Sequence, residues 1–114
     1  MVSKKLPRPV EAFREDYAEV WRAFTELGDR CHGAGPLDAR TRRLVKLALA
    51  VGAGLEGATH SAVRNALSEG LTHEEVKQVA ILSITTTGFP AAMRALTWID
   101  DGLPAEGEGA EAGD

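Results

Sequence analysis

At 114 residues, with 44% hydrophobic and 26% charged side chains, the chain is composed for one packed domain and not for a disordered segment. Its formal net charge of −4 is matched by Glu106, Glu108, Glu111 and Asp114 near the C-terminus; the rest is close to neutral and carries no basic stripe or reading motif, so nucleic acid is not an expected partner. Cys31 is the only cysteine, which rules out an intrachain disulfide, and the longest apolar run, residues 44–55, is interrupted by Lys46 and too short for a bilayer, so a cytoplasmic setting without membrane contact is expected.

Lys4, Lys5 and Arg8 precede no apolar stretch, so no secretory signal is expected, and residues 1–8 read as a flexible N-terminus. From about Pro9 to Cys31, the residues Val10, Phe13, Tyr17, Val20, Trp21, Phe24 and Leu27 recur at three- and four-residue spacing. That spacing predicts one helix with a single apolar face, and Pro9 suits its first turn. Most of the aromatic residues lie here, so the segment should cap the core or a subunit contact. Gly33-Ala34-Gly35-Pro36 ends it, with His32 as a last-turn imidazole suited to the helix dipole. Asp38 caps a second helix to about Val51, which begins amphipathic and turns apolar all round at residues 47–51. Such a helix belongs in the middle of a bundle or at a subunit interface. Its cluster of Arg40, Arg42, Arg43 and Lys46 should face solvent or pair with acidic helix faces.

Gly52-Ala53-Gly54 breaks the chain into a third helix over about residues 55–68, with Leu55, Ala58, Ala62, Val63, Ala66 and Leu67 as its buried stripe and Gly70 as its stop. Thr72 and Glu75 form a capping box opening a fourth helix, with Val76, Val79, Ala80, Leu82 and Ser83 inward and His73 toward water. Ile84-Thr85-Thr86-Thr87 has no second β-branched run to pair with, so it reads as the end of that helix. Its threonines can line a pocket or bond back to helical carbonyls, and the second reading is simpler. Gly88-Phe89-Pro90 turns into a fifth helix through Met93, Leu96 and Ile99, and residues 103–114 read as a disordered acidic tail. The expectation is an all-α, single-domain bundle of about five helices over residues 9–102.

The order of these pieces is itself informative. Leu37-Asp38-Ala39-Arg40-Thr41-Arg42-Arg43-Leu44-Val45, the glycine bend, Val63-Arg64-Asn65-Ala66-Leu67-Ser68-Glu69-Gly70-Leu71-Thr72 with Glu74-Glu75-Val76, and Gly88-Phe89-Pro90-Ala91-Ala92 together resemble the carboxymuconolactone decarboxylase and alkylhydroperoxidase-D-like family. The resemblance implies a helical domain assembled as a homo-trimer or homo-hexamer, with its active site near a subunit contact. It also implies one of two chemistries. The peroxidase branch carries Cys-x-x-Cys at the start of the third helix, a His four residues after the second Cys, and an upstream Glu. The decarboxylase branch lacks the cysteines and acts on a cyclic lactone carboxylate without metal or organic cofactor. In this chain the two cysteine positions fall on Leu55 and Ala58, the His position on Ala62 and the Glu position on Arg43. Peroxide reduction by that route needs an attacking thiolate and a resolving thiol. Leu55 and Ala58 supply neither and Cys31 lies on another helix, so a thiol peroxidase is not expected.

The same helix offers Glu56 and His60, four residues apart on one face, with Arg64 one turn further. A carboxylate beside an imidazole orients it and favours its protonated form, as a proton-transfer pair requires. His60 is therefore the candidate acid/base, Glu56 its orienting partner and Arg64 the group that neutralises a substrate carboxylate. The plain alternative is a solvated helix face on a non-catalytic oligomeric scaffold or binding module. One His and one carboxylate are too few for a zinc site within one chain, so no metal is expected. Trp21 and Trp98 read as core or interface anchors.

Overall fold

A computed structural model describes residues 7–104, which contain six helices and no strand: α1 (Arg8–Asp16), α2 (Ala18–His32), α3 (Ala39–Ala53), α4 (Glu56–Ser68), α5 (His73–Thr87) and α6 (Phe89–Asp101). The all-α class is as expected. The sixth helix arises because the first periodic segment is two helices, separated at Tyr17 with φ −129° and ψ 57°. Hydrogen bonds from Tyr17 N–H to the Phe13 carbonyl and from Trp21 N–H to the Tyr17 carbonyl span the break, so the apolar spacing continues across it and hides it in the sequence. Most of the two expected tails lies outside the described residues; α1 begins at Arg8, and Leu103 packs against the core instead of belonging to a tail.

The chain divides into two compact units. In the first, over residues 7–38, Phe13 stacks on Tyr17 with centroids 5.2 Å apart and Trp21 lies 6.0 Å from Phe24. No side chain of α1 or α2 is buried; Tyr17, Val20, Phe24 and Leu27 each stand more than half exposed. Two short helices have too few facing residues to enclose a core, and their apolar face is left open.

The second unit holds α3 to α6 around Leu47, Val51, Ala62, Val63, Ala66, Leu71, Val76, Ala80, Ala95 and Ile99. Alanines at six of its core positions (50, 62, 66, 80, 92 and 95) leave little side-chain volume between the helices, which lets their backbones come close. The buried stripe of α4 is Thr59, Ala62, Val63 and Ala66, an i, i+3, i+4, i+7 set. Leu55 and Ala58, expected in that stripe, are exposed: Ala58 sits about 100° around the helix from Thr59, and Leu55 precedes the first helical turn as the N-cap. Likewise α3 buries Leu47, Ala50 and Val51 while Val45 and Leu49 face outward, and on α5 Leu82 points out while Val76 and Ala80 point in. The apolar run at residues 47–51 is thus one-sided in burial.

Local signals close the turns. Thr72 Oγ1 accepts from the Glu75 N–H at 3.0 Å and Glu75 Oε1 accepts from the Thr72 N–H at 2.8 Å, completing the capping box. At the α4 C-terminus the Gly70 N–H donates to Leu67 and the Leu71 N–H to Ala66, a Schellman pair. Arg40 forks onto both Glu75 oxygens at 3.0 and 2.8 Å and donates to the Gly70 carbonyl at 3.1 Å, which ties α3 to the start of α5. The basic cluster therefore pairs in part with acidic helix faces. No helix among the described residues is long and apolar enough to cross a membrane.

Three contacts fix how α4 and α6 lie together. A Cβ at Gly54 would meet the Arg94 guanidinium, His60 faces Asp101, and a Cβ at Gly102 would come 3.1 Å from Val63 Cγ1. Residue numbers rise together along both helices, so α4 and α6 run in the same direction with a shared seam.

Candidate functional site

The α3–α4 turn positions the site. Gly54, at φ +69°, adopts a backbone conformation that a side chain would strain, and its N–H and that of Leu55 close on the carbonyls of Val51 and Ala50. Leu55 then caps α4 without a side-chain hydrogen bond, and Glu56 is its first helical residue. Leu55 is 53% exposed.

His60 sits one turn in. Its side chain is 31% exposed, yet its Nε2 is buried and has no hydrogen-bond partner. The acid facing it is Asp101 of α6, with Oδ2 at 3.8 Å from Nε2, an ion-pair distance when the ring is protonated but too long for a hydrogen bond. Glu56 is exposed, and no ion pair joins it to His60 among the described residues. Arg64 is half-buried on the same stripe. The structure thus keeps His60 and Arg64 on one face and brings Asp101, not Glu56, to the imidazole.

Next to His60, Thr59 is fully buried with an Oγ1 that bonds to nothing, although such a hydroxyl commonly bonds back to a helical carbonyl. Across the seam, Arg94, Trp98 and Asp101 share one side of α6. The Arg94 guanidinium carbon lies 5.3 Å from the Trp98 ring centroid, and its Nη2 is 3.2 Å from where a Gly54 Cβ would be. Sequence reasoning missed Asp101, Arg94 and Thr59. The i, i+4, i+7 spacing of Arg94, Trp98 and Asp101 was a visible signal, but only the pairing of α4 with α6 gives it meaning.

The positions that carry thiol chemistry in the resembling peroxidases hold other groups. Leu55 and Ala58 are exposed, and Ala62 is part of the core. Arg43 pairs with Glu69 at 3.9 Å, at the opposite end of α4 from Leu55. Cys31 is exposed near the end of α2. No three His, Cys, Asp or Glu side chains gather in a metal-binding arrangement among the described residues.

A separate groove of about 210 Å³ runs between α3 and α5, lined by Ala48, Val51, Val79, Leu82, Thr86 and Thr87 among others. Thr87 Oγ1 donates to the Ser83 carbonyl at 3.1 Å and Ser83 Oγ to Ala80 at 2.7 Å, so the polar end of α5 both bonds back to its own helix and borders the groove.

Against known proteins, the model of the carboxymuconolactone decarboxylase family matches residues 18–101. An uncharacterised protein of Methanocaldococcus jannaschii is 25% identical over 88 residues, a stretch covering 76% of this chain and 85% of that protein.

Proposed function

Because this chain belongs to the carboxymuconolactone decarboxylase family, we propose that it is a cytoplasmic homo-trimer or homo-hexamer acting as a lyase or isomerase on a small carboxylate or lactone, with His60 as its acid/base. The observation that carries the reading is the His60 Nε2, buried and without a hydrogen bond beside the Asp101 carboxylate. A buried ring nitrogen without a partner in the chain supports a role toward a bound molecule.

The proposed chemistry is proton transfer. Neutral imidazole takes a proton from a carbon next to a carbonyl and returns it, as imidazolium, to a neighbouring carbon. In the decarboxylating version the bond to the carboxyl carbon breaks, its electron pair passes into the conjugated carbonyl, carbon dioxide leaves, and imidazolium protonates the carbon. Asp101 faces the ring nitrogen that carries the proton between the two steps. Arg64 meets the negative charge that develops on the substrate. Leu55 and Ala58 in place of a thiol pair argue against peroxide chemistry.

One observation favours a second reading, a non-catalytic oligomeric scaffold: Glu56 stands in solvent apart from His60, as on an ordinary helix face. His60→Asn separates the two. Turnover of small lactone carboxylates should fall about 100-fold or more if His60 is the acid/base. Turnover unchanged by this substitution would remove His60 as the acid/base, and no turnover by the native chain would leave the scaffold reading standing.

A further inference from the structure

Arg94 is held in place without being neutralised. Arg40 and Arg43 close on Glu75 and Glu69, Arg14 and Arg30 on acids of their own helices, and Lys77 on Asp100. Arg94 has no carboxylate within ion-pair distance among the described residues. Its guanidinium nonetheless lies over Trp98 at 5.3 Å, and its Nη2 rests on the Gly54 turn, 3.2 Å from the vacant Cβ position. A side chain at Gly54 would displace it.

A guanidinium carries its N–H donors in a planar fork. Two of these match the two oxygens of a carboxylate in parallel, a pairing stronger than a single neutral hydrogen bond. Because the contacts with Trp98 and the Gly54 turn restrict the side chain, less rotamer freedom is lost when an anion arrives. Along α6, Arg94 and Asp101 are seven residues apart, roughly 10 Å of helix axis, with Trp98 between them. His60 faces the Asp101 end. The seam therefore presents a fixed cation at one end, a ring face in the middle and an imidazole at the other.

We infer that this seam is a carboxylate-binding site, in which Arg94 takes the anion and the ligand lies past Trp98 with its uncharged end at His60. The orientation rests on the proposed role of His60, whereas the anion contact does not. Arg64, beyond His60, then meets charge at the reacting end while Arg94 anchors the other.

Levulinate tests both parts, since it carries a carboxylate a few bonds from a ketone with exchangeable protons. It is titrated into the full chain while the amide of Gly54 and the indole N–H of Trp98 are followed by NMR, with methyl levulinate as the uncharged counterpart. Saturable shifts are expected for levulinate and none for the ester. Arg94→Gln should weaken binding about ten-fold or more, with Arg94→Lys in between because it keeps the charge and loses the fork. Arg94 is exposed, so the variants should fold, which circular dichroism checks. No saturable binding at tens of millimolar, or equal binding by Arg94→Gln, overturns the inference. Deuterium exchange next to the ketone reports on His60 separately. Binding that survives in His60→Asn while exchange is absent in both proteins would sink the acid/base reading and leave the anion site standing. Exchange lost in His60→Asn but unchanged in Arg94→Gln would do the reverse.

Discussion

Thr59 carries a hydroxyl into the core and gives it nothing to bond. A buried, unsatisfied hydroxyl costs about 1–3 kcal/mol, and valine has nearly the same shape without the polar atom. Thr59→Val should therefore raise the unfolding free energy by about 1 kcal/mol in urea titrations. A loss of stability instead would mean that the hydroxyl has a partner in solution. The same residue shows where reading the sequence stops. The expected stripe held Ala62, Val63 and Ala66 but placed Ala58 where Thr59 is buried, because an apolar pattern does not pick out a threonine. His60 and Arg64 were legible because their spacing lies within one helix. Asp101 and Arg94 were not, because they reach the site through packing that joins positions about forty residues apart.

Helix boundaries followed the opposite rule, since caps and stops are local. The box of Thr72 and Glu75, the stops at Gly54 and Gly70 and the Pro90 start of α6 are each written in a few consecutive residues, and each is found in place. Tyr17 left no such mark; no glycine or proline announces the break, and the backbone ladder carries on across it. The box also makes stability depend on pH. The Thr72 amide bonded to its carboxylate, helped by Arg40 and opposed by some desolvation, holds Glu75 below the ordinary carboxylate value of 4.5. With the folded value depressed, the unfolded chain binds more protons in the acid range. The contribution is therefore complete above about pH 4.5 and is lost as pH falls through the folded value. Unfolding titrations of the native chain and Glu75→Gln should differ at pH 7 and converge toward pH 3. A gap that persists unchanged at pH 3 would assign the effect of the substitution to packing and not to charge.

At the scale of the whole molecule, the apolar residues left outside are the feature that composition could not reveal. Phe13, Tyr17, Val20, Phe24 and Leu27 line the open face of α1 and α2, and Val45, Leu49, Leu55, Ile81, Leu82 and Phe89 stand exposed on the other unit. Single exposed apolar residues need no explanation, but this many large ones on so short a chain is the pattern of surfaces that meet other protein. The proposed homo-oligomer requires them to be covered by further copies. Sedimentation at micromolar concentration should give a mass several times that of one chain. Leu49 and Leu82 are among the most exposed, at 63% and 64%, on helices whose cores do not depend on them. The double substitution Leu49→Glu, Leu82→Glu should shift the protein toward monomer while its helical circular dichroism is retained, because charges in a desolvated contact are costly and charges in water are not. Leu55, exposed at the start of α4, places one such surface at the Gly54 end of the seam. If a second copy closes that end of the seam, the dissociated variant should also lose turnover that depends on His60. A native chain sedimenting as a clean monomer would remove the proposed assembly, and with it the enclosure the chemistry needs.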